Sequence, residues 1–255
     1  MLKIQDEKIL DFQTSLPAEY SFTKSTKKII FLAESDGKIN FQVSPEVVLD
    51  LTIVFLPLTK PVAKHFEVVF EVHQYATLNL KIANLTNVDI DDKITINLVA
   101  NNSQVEFYSA SILNQNLVKN SLINVCHLAR NTSSNIKAYE VLKGKSQGFI
   151  RCVSDIREKS SGSEAHQELR LLVLDKNAKA DSDPVLLIDE NDIVASHANA
   201  IGMLDPDQVF YLKSRGLNDG QAQELIVNGY FAPIFVDLPS PQLESELKQI
   251  LKGMI

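Results

Sequence analysis

The sequence has few cysteines, little positive charge and no long apolar run, and each of these excludes a class of protein. Only two of its 255 residues are cysteines, Cys126 and Cys152, and they form no C-x-x-C pair. Two scattered thiols are too few for a disulfide framework and fit a reducing compartment better. The net charge of −7 argues against nucleic-acid binding, which needs a clustered positive field.

Membrane insertion and secretion are also disfavoured by what the sequence lacks. The first twenty residues are polar and acidic, and they contain no apolar core of the kind found in secretory signals. The most apolar run, Val47 to Leu58, is interrupted by Asp50 and Thr52 and is too short to cross a bilayer. We therefore expect a soluble cytoplasmic protein without membrane contact.

No motif of an enzyme is present in the sequence. It contains neither a Gly-rich phosphate loop nor a G-x-S-x-G nucleophile motif. The paired acids Asp91-Asp92 and Asp181-Asp183 are expected in solvated turns. Four histidines show no metal-ligand spacing and are expected to be structural: His65, His73, His127 and His166.

From Lys28 onward, short runs rich in β-branched and aromatic residues alternate with Asn, Asp, Ser, Lys and Gly. Ser35-Asp36-Gly37 predicts a tight turn between two strands. A β-sandwich is the usual fold for this pattern. Asparagine clusters recur at 101–102, 114–120 and 131–135, however, and stacked asparagines at corners are typical of a β-solenoid. The residues alone leave both folds open.

The two cysteines are expected in the core. In the predicted strands Cys152 alternates in phase with Ile150, and Cys126 does so with Leu122. Buried thiols behave as small hydrophobes. Two thiols are also too few to hold an iron–sulfur cluster, which takes about four ligands.

Helical signals begin only near the C-terminus. Asp205 and Pro206 predict the start of a first helix, and Gly216 predicts its left-handed cap. A second helix is predicted from the cap Asn218 to Gly229. Its buried stripe is expected to consist of Ala222, Leu225 and Ile226.

A third helix is predicted after Pro233 and Pro239, which bracket a short apolar segment, IFVDL, that joins the helical hairpin to this last helix. Ser240 and Pro241 predict the start of this helix. Its apolar face is expected to consist of Leu243, Leu247, Ile250 and Leu251.

The first helix is expected to expose aromatic surface. Phe210, Tyr211 and Leu212 are consecutive, and neighbours on a helix point about 100° apart, so all three cannot face the core. At least one of them should be exposed, and aromatic residues are favoured anchors of interfaces.

The segment around these helices resembles a known family. It resembles the C-terminal signature of the SufB/SufD family, the scaffold subunits of the SUF iron–sulfur cluster assembly system, and the resemblance extends upstream to about Gly148. The matching positions are Asn191, Asp192, Ile193, Ala195, Ser196, His197, Gly202, Leu204, Asp205, Phe210, Tyr211, Leu212, Ser214, Arg215, Gly216, Gly229 and Tyr230.

The resemblance implies a fold and a set of partners. It implies an all-β core, a right-handed parallel β-helix (β-solenoid), followed by a small C-terminal helical domain. We expect a short lead-in at 1–25, the β-helix at 26–203 and the helical domain at 204–255. The implied partners are a SufB-type scaffold subunit, or a second copy of the chain, and the SufC-type ABC ATPase. No catalytic activity is implied.

The resemblance also implies two sites. His197 is the candidate cluster or metal ligand, because the matching histidine lies where the two scaffold subunits meet. We expect no cofactor held stably by this chain alone, and a transient iron–sulfur cluster shared with the partner. Relatives often have Cys where this chain has Ala195, so a soft donor is absent beside the imidazole. Phe210, Tyr211 and Arg215 are the candidates for docking the ATPase.

Two other functions stay open at this level. The chain is alternatively a non-catalytic β-solenoid module or homodimer that binds the ATPase without handling iron or sulfur. A carbohydrate-active β-helix enzyme is the other alternative, which the missing signal peptide and missing acid cluster disfavour.

Overall fold

The computed structural model describes residues 8–12, 15–60, 62–236 and 238–255, and within them fifteen strands are followed by three helices. The odd-numbered strands are β1 (Ile9–Asp11), β3 (Thr26–Leu32), β5 (Val48–Phe55), β7 (Thr77–Asn84), β9 (Gln104–Leu113), β11 (Ser133–Leu142), β13 (Ser163–Val173) and β15 (Ile193–Met203). The even-numbered strands are β2 (Glu19–Phe22), β4 (Gly37–Val43), β6 (Lys64–Val72), β8 (Ile90–Leu98), β10 (Val118–His127), β12 (Gln147–Ile156) and β14 (Lys179–Ile188). The helices are α1 (Pro206–Ser214), α2 (Asp219–Phe235) and α3 (Pro241–Met254).

Consecutive strands alternate between two sheets. The odd strands form an eight-stranded sheet in the order β1-β3-β5-β7-β9-β11-β13-β15, and the even strands form a seven-stranded sheet. The strand pairs described in both sheets are parallel. Each turn of the chain therefore adds one strand to each sheet. The predicted parallel β-solenoid is confirmed, and the sandwich alternative, which needs antiparallel strands, is wrong.

Stacked corners explain why the solenoid repeats. Glu46, Tyr75, Asn102 and Asn131 all have a positive φ, between 55° and 63°. The backbone N–H of each donates to a carbonyl at the corner of the next turn, as from Asn102 to Arg130 at 3.1 Å. Asparagine tolerates this left-handed conformation better than most residues. The asparagine clusters in the sequence thus mark real corners.

The lumen between the two sheets changes in character along the solenoid. Near its beginning, Phe41 stacks on Phe70 with ring centroids 5.0 Å apart, amid buried Val, Ile and Leu side chains. Farther along, the buried inward positions include His127, Ser134 and Gln167. Ile136, Ile150 and Leu169 continue the apolar core there, so this second half is an apolar interior that also contains buried polar groups, which need hydrogen-bond partners.

The C-terminal helices cover part of the outer face of the odd-numbered sheet. Phe231 and Phe235 of α2, together with Leu247 of α3, belong to one buried cluster with Phe31 and Val54 of the sheet. Polar contacts add to this packing. The Lys81 ammonium donates to the carbonyl of Pro233 at 2.7 Å, and the Tyr108 hydroxyl donates to the carbonyl of Tyr230 at 2.7 Å.

The predicted helix starts are confirmed. Asp205 caps α1 by accepting from Asp207 N–H, and Asn218 forms a capping box with Gln221. Ser240 caps α3, whose predicted apolar residues Leu243, Leu247 and Leu251 are buried, with Ile250 packed against them. Gly216 has φ +92° after α1, as expected for a left-handed cap.

The predicted end of α2 is wrong. The helix passes through Gly229 and Pro233 and ends at Phe235, so the first two residues of the apolar segment after Pro233 are still helical. Burial of Ile234 and Phe235 in the last turn offsets the poor helix propensity of Gly229 and Pro233. Leu225 was expected to be buried, but it is 52% exposed.

The segment 1–25, predicted as a lead-in, contains β1 and β2, which pair with β3 and β4. Residues 1–7, 13 and 14 of that segment lie outside the described residues. In the described part of the chain, none of the helices has both the length and the apolar content that a membrane span requires.

Candidate functional site

The solenoid ends in an open pair of strands, β14 and β15, which are the last strands of the two sheets that the structure describes. We call this pair the open end. Five of its apolar side chains are between 46% and 57% exposed: Leu187, Ile188, Val194, Ile201 and Met203. A strand at the edge of a sheet presents unpaired backbone groups. The open end therefore combines free hydrogen-bonding capacity with exposed apolar surface.

His197 lies in the middle of β15, on the side that faces the lumen. It is in register with Gln167 of β13, which is buried in the lumen at 3% exposure. Residues paired in parallel strands point to the same face, so the two side chains are neighbours. His197 is exposed because no further turn covers it among the described residues.

Polar contacts hold the residues around His197. Ser182 of β14 donates to the side-chain oxygen of Asn199 at 2.8 Å and so bridges the two strands of the open end. Ser196 lies 2.7 Å from Nδ1 of His166 on the outer face of the sheet. The side chains of Ser196 and Asn199, on either side of His197, are therefore hydrogen-bonded to other strands, although His197 itself is exposed.

The donor set around His197 is too small for a metal site in this chain alone. Among the described residues, no group of three or more His, Cys, Asp and Glu side chains is arranged to hold a metal ion. Ala195 and Asn199, the positions next to His197 on the same face of β15, offer no thiolate or carboxylate. One imidazole can supply one ligand, and further ligands would have to come from a second chain.

The two cysteines do not complete the site. Cys152 is fully buried in the lumen as predicted, and burial raises the pKa of its thiol to about 12. The prediction for Cys126 is wrong, because its half-buried side chain points away from the lumen, between Asn97 and Asp155. Burial is the main cause that raises the pKa of Cys126, and Asp155 adds to it. Both thiols are thus poor nucleophiles and poor ligands at neutral pH.

A second candidate site lies on the helices α1 and α2. Phe210 is 74% exposed and Tyr211 is 55% exposed. The guanidinium of Arg215 lies 5.2 Å from the centre of the Tyr211 ring, a cation–π contact. The prediction that aromatic surface is exposed here is confirmed for both residues.

Beside this aromatic surface is a groove of about 480 Å³ between α1 and α2. Its lining is mostly apolar and consists of Asp207, Gln208, Tyr211, Leu212, Leu225 and Ile226. Leu225 is therefore exposed because it forms one wall of this groove.

The lumen also contains a buried ionic cluster that the sequence alone did not predict. Lys119 lies 2.9 Å from Glu140 and 3.6 Å from Asp92, and the side chains of all three are at most 7% exposed. Ser111 donates to Glu140 at 2.8 Å, and Ser121 bonds Asp92. Burial lowers the pKa of Lys119, but the two carboxylates outweigh this and raise it.

The expected location of the paired acids is therefore wrong. Asp92 belongs to β8 and points into the lumen, while Asp181 and Asp183 belong to β14. The burial of Asp92 could have been predicted from the sequence, because Asp92 is two positions from Ile94 and so lies on the same, buried face of β8. Pairing that position with Lys119 required knowledge of the strand register.

These features agree with the comparison of the sequence with protein families. Residues 59–230 match the family described as "SUF system FeS cluster assembly, SufBD core domain". The match includes most of the solenoid, the open end, α1 and the first part of α2. The chain belongs to the SufBD family.

Named relatives of this SufBD protein come from several bacteria. "Iron-sulfur cluster assembly protein SufD" of Bacillus subtilis (strain 168) is 31% identical over 137 residues, which is 54% of this chain and 31% of the relative. An "Iron-sulfur cluster assembly SufBD family protein" of Mycobacterium bovis is 41% identical over 93 residues, 36% of this chain and 23% of the relative. One of Mycobacterium leprae is 33% identical over 113 residues, 44% of this chain and 13% of the relative. The aligned part of this chain thus spans less than a third of each relative.

Proposed function

We propose that this SufBD family protein is a SufD-like subunit of the cytoplasmic SUF complex that assembles iron–sulfur clusters. In this proposal it is a scaffold without a catalytic step of its own. It pairs with a SufB-type subunit, or with a second copy of itself, and it docks the SufC ATPase. The observation that carries the proposal is the open end, where an exposed apolar strand pair surrounds the family histidine His197.

Pairing at the open end follows from the chemistry of sheet edges. A second chain that adds its own strands to β14 and β15 would satisfy the free backbone groups. It would also bury the apolar side chains, of which Val194 and Met203 are the most exposed. Charged residues and proline, which monomeric proteins use to protect such edges, are absent from β15 and are confined to the first part of β14.

At this interface His197 would supply one ligand to the iron–sulfur cargo. Its imidazole suits iron, and its exposure leaves it accessible to a neighbouring chain. The partner would provide the thiolates, since Cys126 and Cys152 are poor ligands and lie away from His197 in register.

The helices α1 and α2 would hold the ATPase. Phe210 and Tyr211 are large, exposed and aromatic, and they lie beside the apolar groove between the two helices. Such residues dominate the binding energy of protein interfaces. Arg215 stacks on Tyr211 and would contribute both to its orientation and to the contact.

The coupling between these sites would be mechanical. Closure of the ATPase on binding nucleotide would pull on the helices of two paired scaffold subunits and so bias their interface towards an open state. Such a switch requires that the nucleotide-bound ATPase contact the two states differently. A nucleotide-bound complex in which the surroundings of His197 are unchanged would contradict this mechanism.

A second candidate function is a module that binds the ATPase and stabilises the complex without contacting iron or sulfur. The specific observation in its favour is Ala195, which offers no thiolate donor beside His197 on the same face of β15. Anaerobic reconstitution with the partner separates the two functions. The proposed ligand role requires that His197→Ala lower retained iron and sulfide, whereas the module predicts normal retention.

The experiment that tests the main proposal is co-purification with the SUF ATPase and the SufB-type subunit of the same organism. Phe210→Ala/Tyr211→Ala should lose the ATPase and keep the scaffold partner. Val194→Lys/Met203→Lys should do the reverse. Tyr75→Ala, which removes an exposed aromatic ring at a distant corner, should retain both. A folded chain that binds neither protein would overturn the proposal.

A further inference from the structure

The amide of Gln167, directly below His197 in the lumen, has one fixed orientation. Its nitrogen Nε2 donates to the hydroxyl of Ser154 at 2.7 Å and to the backbone carbonyl of Val185 at 3.1 Å. A backbone carbonyl only accepts hydrogen bonds, so the NH₂ group, and not the oxygen, must face Val185. These two bonds also tie β13 to β12 and β14 of the opposite sheet, across the lumen.

The other end of the same amide is unsatisfied. The oxygen Oε1 of Gln167 is buried and has no hydrogen-bond donor among the residues that the structure describes. A buried carbonyl without a donor is costly, and folded proteins rarely leave one unpaired. The amide cannot turn to solve this, because its nitrogen would then lose the Val185 carbonyl.

Register shows which neighbour can supply the missing donor. Gln167 is paired with Ile136 of β11 on one side and with His197 of β15 on the other. The side chain of Ile136 carries no polar atom, whereas a neutral imidazole always carries one N–H. Adjacent strands lie about 4.8 Å apart, so a rotation of the exposed His197 side chain about its own bonds brings its ring within reach of Oε1.

We propose that Gln167 is the positioning residue of His197, accepting a hydrogen bond from one ring nitrogen of the imidazole on Oε1. This bond would select one tautomer and leave the lone pair of the other nitrogen directed out of the open end. Metal-binding histidines are commonly oriented in this way by a carbonyl or carboxylate. The consequence for cluster assembly rests on the proposed function, but the hydrogen bond itself does not.

The test is ¹⁵N NMR of the histidine side chains in the full chain without partners, at a pH where the imidazole is neutral. We expect His197 in one predominant tautomer, with its ring N–H exchanging more slowly than that of exposed His65. In Gln167→Leu, which removes the acceptor, the two tautomers should mix as in a solvent-exposed imidazole. In Ser154→Ala, which removes only a partner of Nε2, His197 should keep its single tautomer.

Two results would overturn the proposal. One is a mixture of His197 tautomers in the unmodified chain, a readout that does not depend on whether any variant folds. The other is an equal change in Gln167→Leu and Ser154→Ala, which would indicate a general disturbance of the lumen.

Complex formation separates this inference from the proposed function. A chain with one His197 tautomer that binds neither SUF partner would contradict the function and leave the hydrogen bond intact. If the complex forms, Gln167→Leu should weaken its retention of iron about 10- to 100-fold relative to Ser154→Ala, the usual cost of removing such a partner. Equal retention in the two variants would overturn the positioning role.

Discussion

Gly148 of β12 lies against the carboxylate of Glu140 across the lumen, so that the side-chain oxygen Oε1 of Glu140 occupies the space a Cβ at Gly148 would need. The same Cβ would lie 2.9 Å from Cδ2 of Leu142. Glu140 cannot move away easily, because Lys119 and Ser111 hold its other oxygen. The absence of a side chain at position 148 is therefore what admits the buried ionic cluster.

Gly148→Ala is expected to lower the free energy of unfolding by about 1–3 kcal/mol, the usual range for overpacking a core. Urea denaturation followed by circular dichroism measures this. Gly202→Ala is the matched control, since none of the described atoms lies within 4 Å of a Cβ added there. A similar loss in both variants would contradict the steric explanation.

Lys119→Met should destabilise the protein by about 3–5 kcal/mol, because it leaves the buried carboxylates of Asp92 and Glu140 without a cation. Lys38→Met is the control. Lys38 lies 3.2 Å from Glu67 but is about half exposed, and surface pairs of this kind contribute about 0–1 kcal/mol. Equal effects in denaturation would mean that the buried cluster is not held by Lys119.

Deprotonation of Lys119 is expected to destabilise the protein at alkaline pH. Burial opposes the charge of Lys119, but Asp92 and Glu140 raise its pKa above the usual 10.5. The folded state then keeps this proton where the unfolded state loses it. The contribution of Lys119 is complete below pH 10.5 and is lost as the pH rises through the folded-state value. Alkaline unfolding of Lys119→Met should therefore depend less steeply on pH than that of the unmodified chain.

His127 predicts a loss of stability in acid. Its ring lies in the lumen between the hydroxyls of Thr132 and Ser134, at 2.8 and 2.9 Å, and burial lowers its pKa from 6.5 to about 4. Below pH 6.5 the unfolded state binds a proton that the folded state excludes. Stability should therefore fall by about 3 kcal/mol between pH 6.5 and 4, since one pKa unit corresponds to about 1.4 kcal/mol.

Denaturation at a series of pH values checks this, with two variants as comparison. His127→Gln should remove most of the dependence in that window, whatever its effect on absolute stability. His65→Gln, at an exposed position of β6, should leave it unchanged. If the stability of His127→Gln still falls steeply between pH 6.5 and 4, titratable groups other than His127 cause the fall.

Tyr75 lies at a corner that requires a left-handed backbone conformation, which tyrosine rarely adopts. It has φ +57° and is 58% exposed, while the next two corners carry Asn102 and Asn131. A left-handed conformation costs most L-residues about 1–2 kcal/mol, and asparagine less. Tyr75→Asn should therefore raise the free energy of unfolding, by about 0.5–1 kcal/mol. Tyr75→Ala should not raise it, because alanine keeps the Cβ that disfavours a left-handed conformation. Thermal unfolding of the two variants distinguishes these outcomes.

Much of the C-terminal structure was predictable because its signals are local. Asp205, Asn218 and Ser240 cap the helices through bonds to residues two or three positions away, and such bonds depend little on the rest of the fold. The end of α2 was not predictable in the same way. Gly229 and Pro233 favour an earlier stop, and only burial of Ile234 and Phe235 against the sheet extends the helix.

In the candidate site, too, only the features with local sequence signals were predictable. The sequence signature singled out His197, and exposure of Phe210 and Tyr211 followed from the geometry of consecutive helical positions. The roles of Gln167, Asp92 and Lys119 did not follow, because each was an ordinary member of an alternating strand. Their partners lie on other strands and are distant in the sequence. The bonds join residues that are 18 to 29 positions apart: Gln167 and Val185, Lys119 and Glu140, and Ser121 and Asp92.

The sequence by itself determined the family, the helix caps and the asparagine corners, since each depends on residues close together in the chain. Tertiary structure decided which polar residues enter the lumen and which meet there. The physical reason is that a parallel solenoid pairs positions about one turn apart, and the register of that pairing is set by the whole stack of strands. The neighbourhood of His197 and Gln167 at the open end is a product of that register.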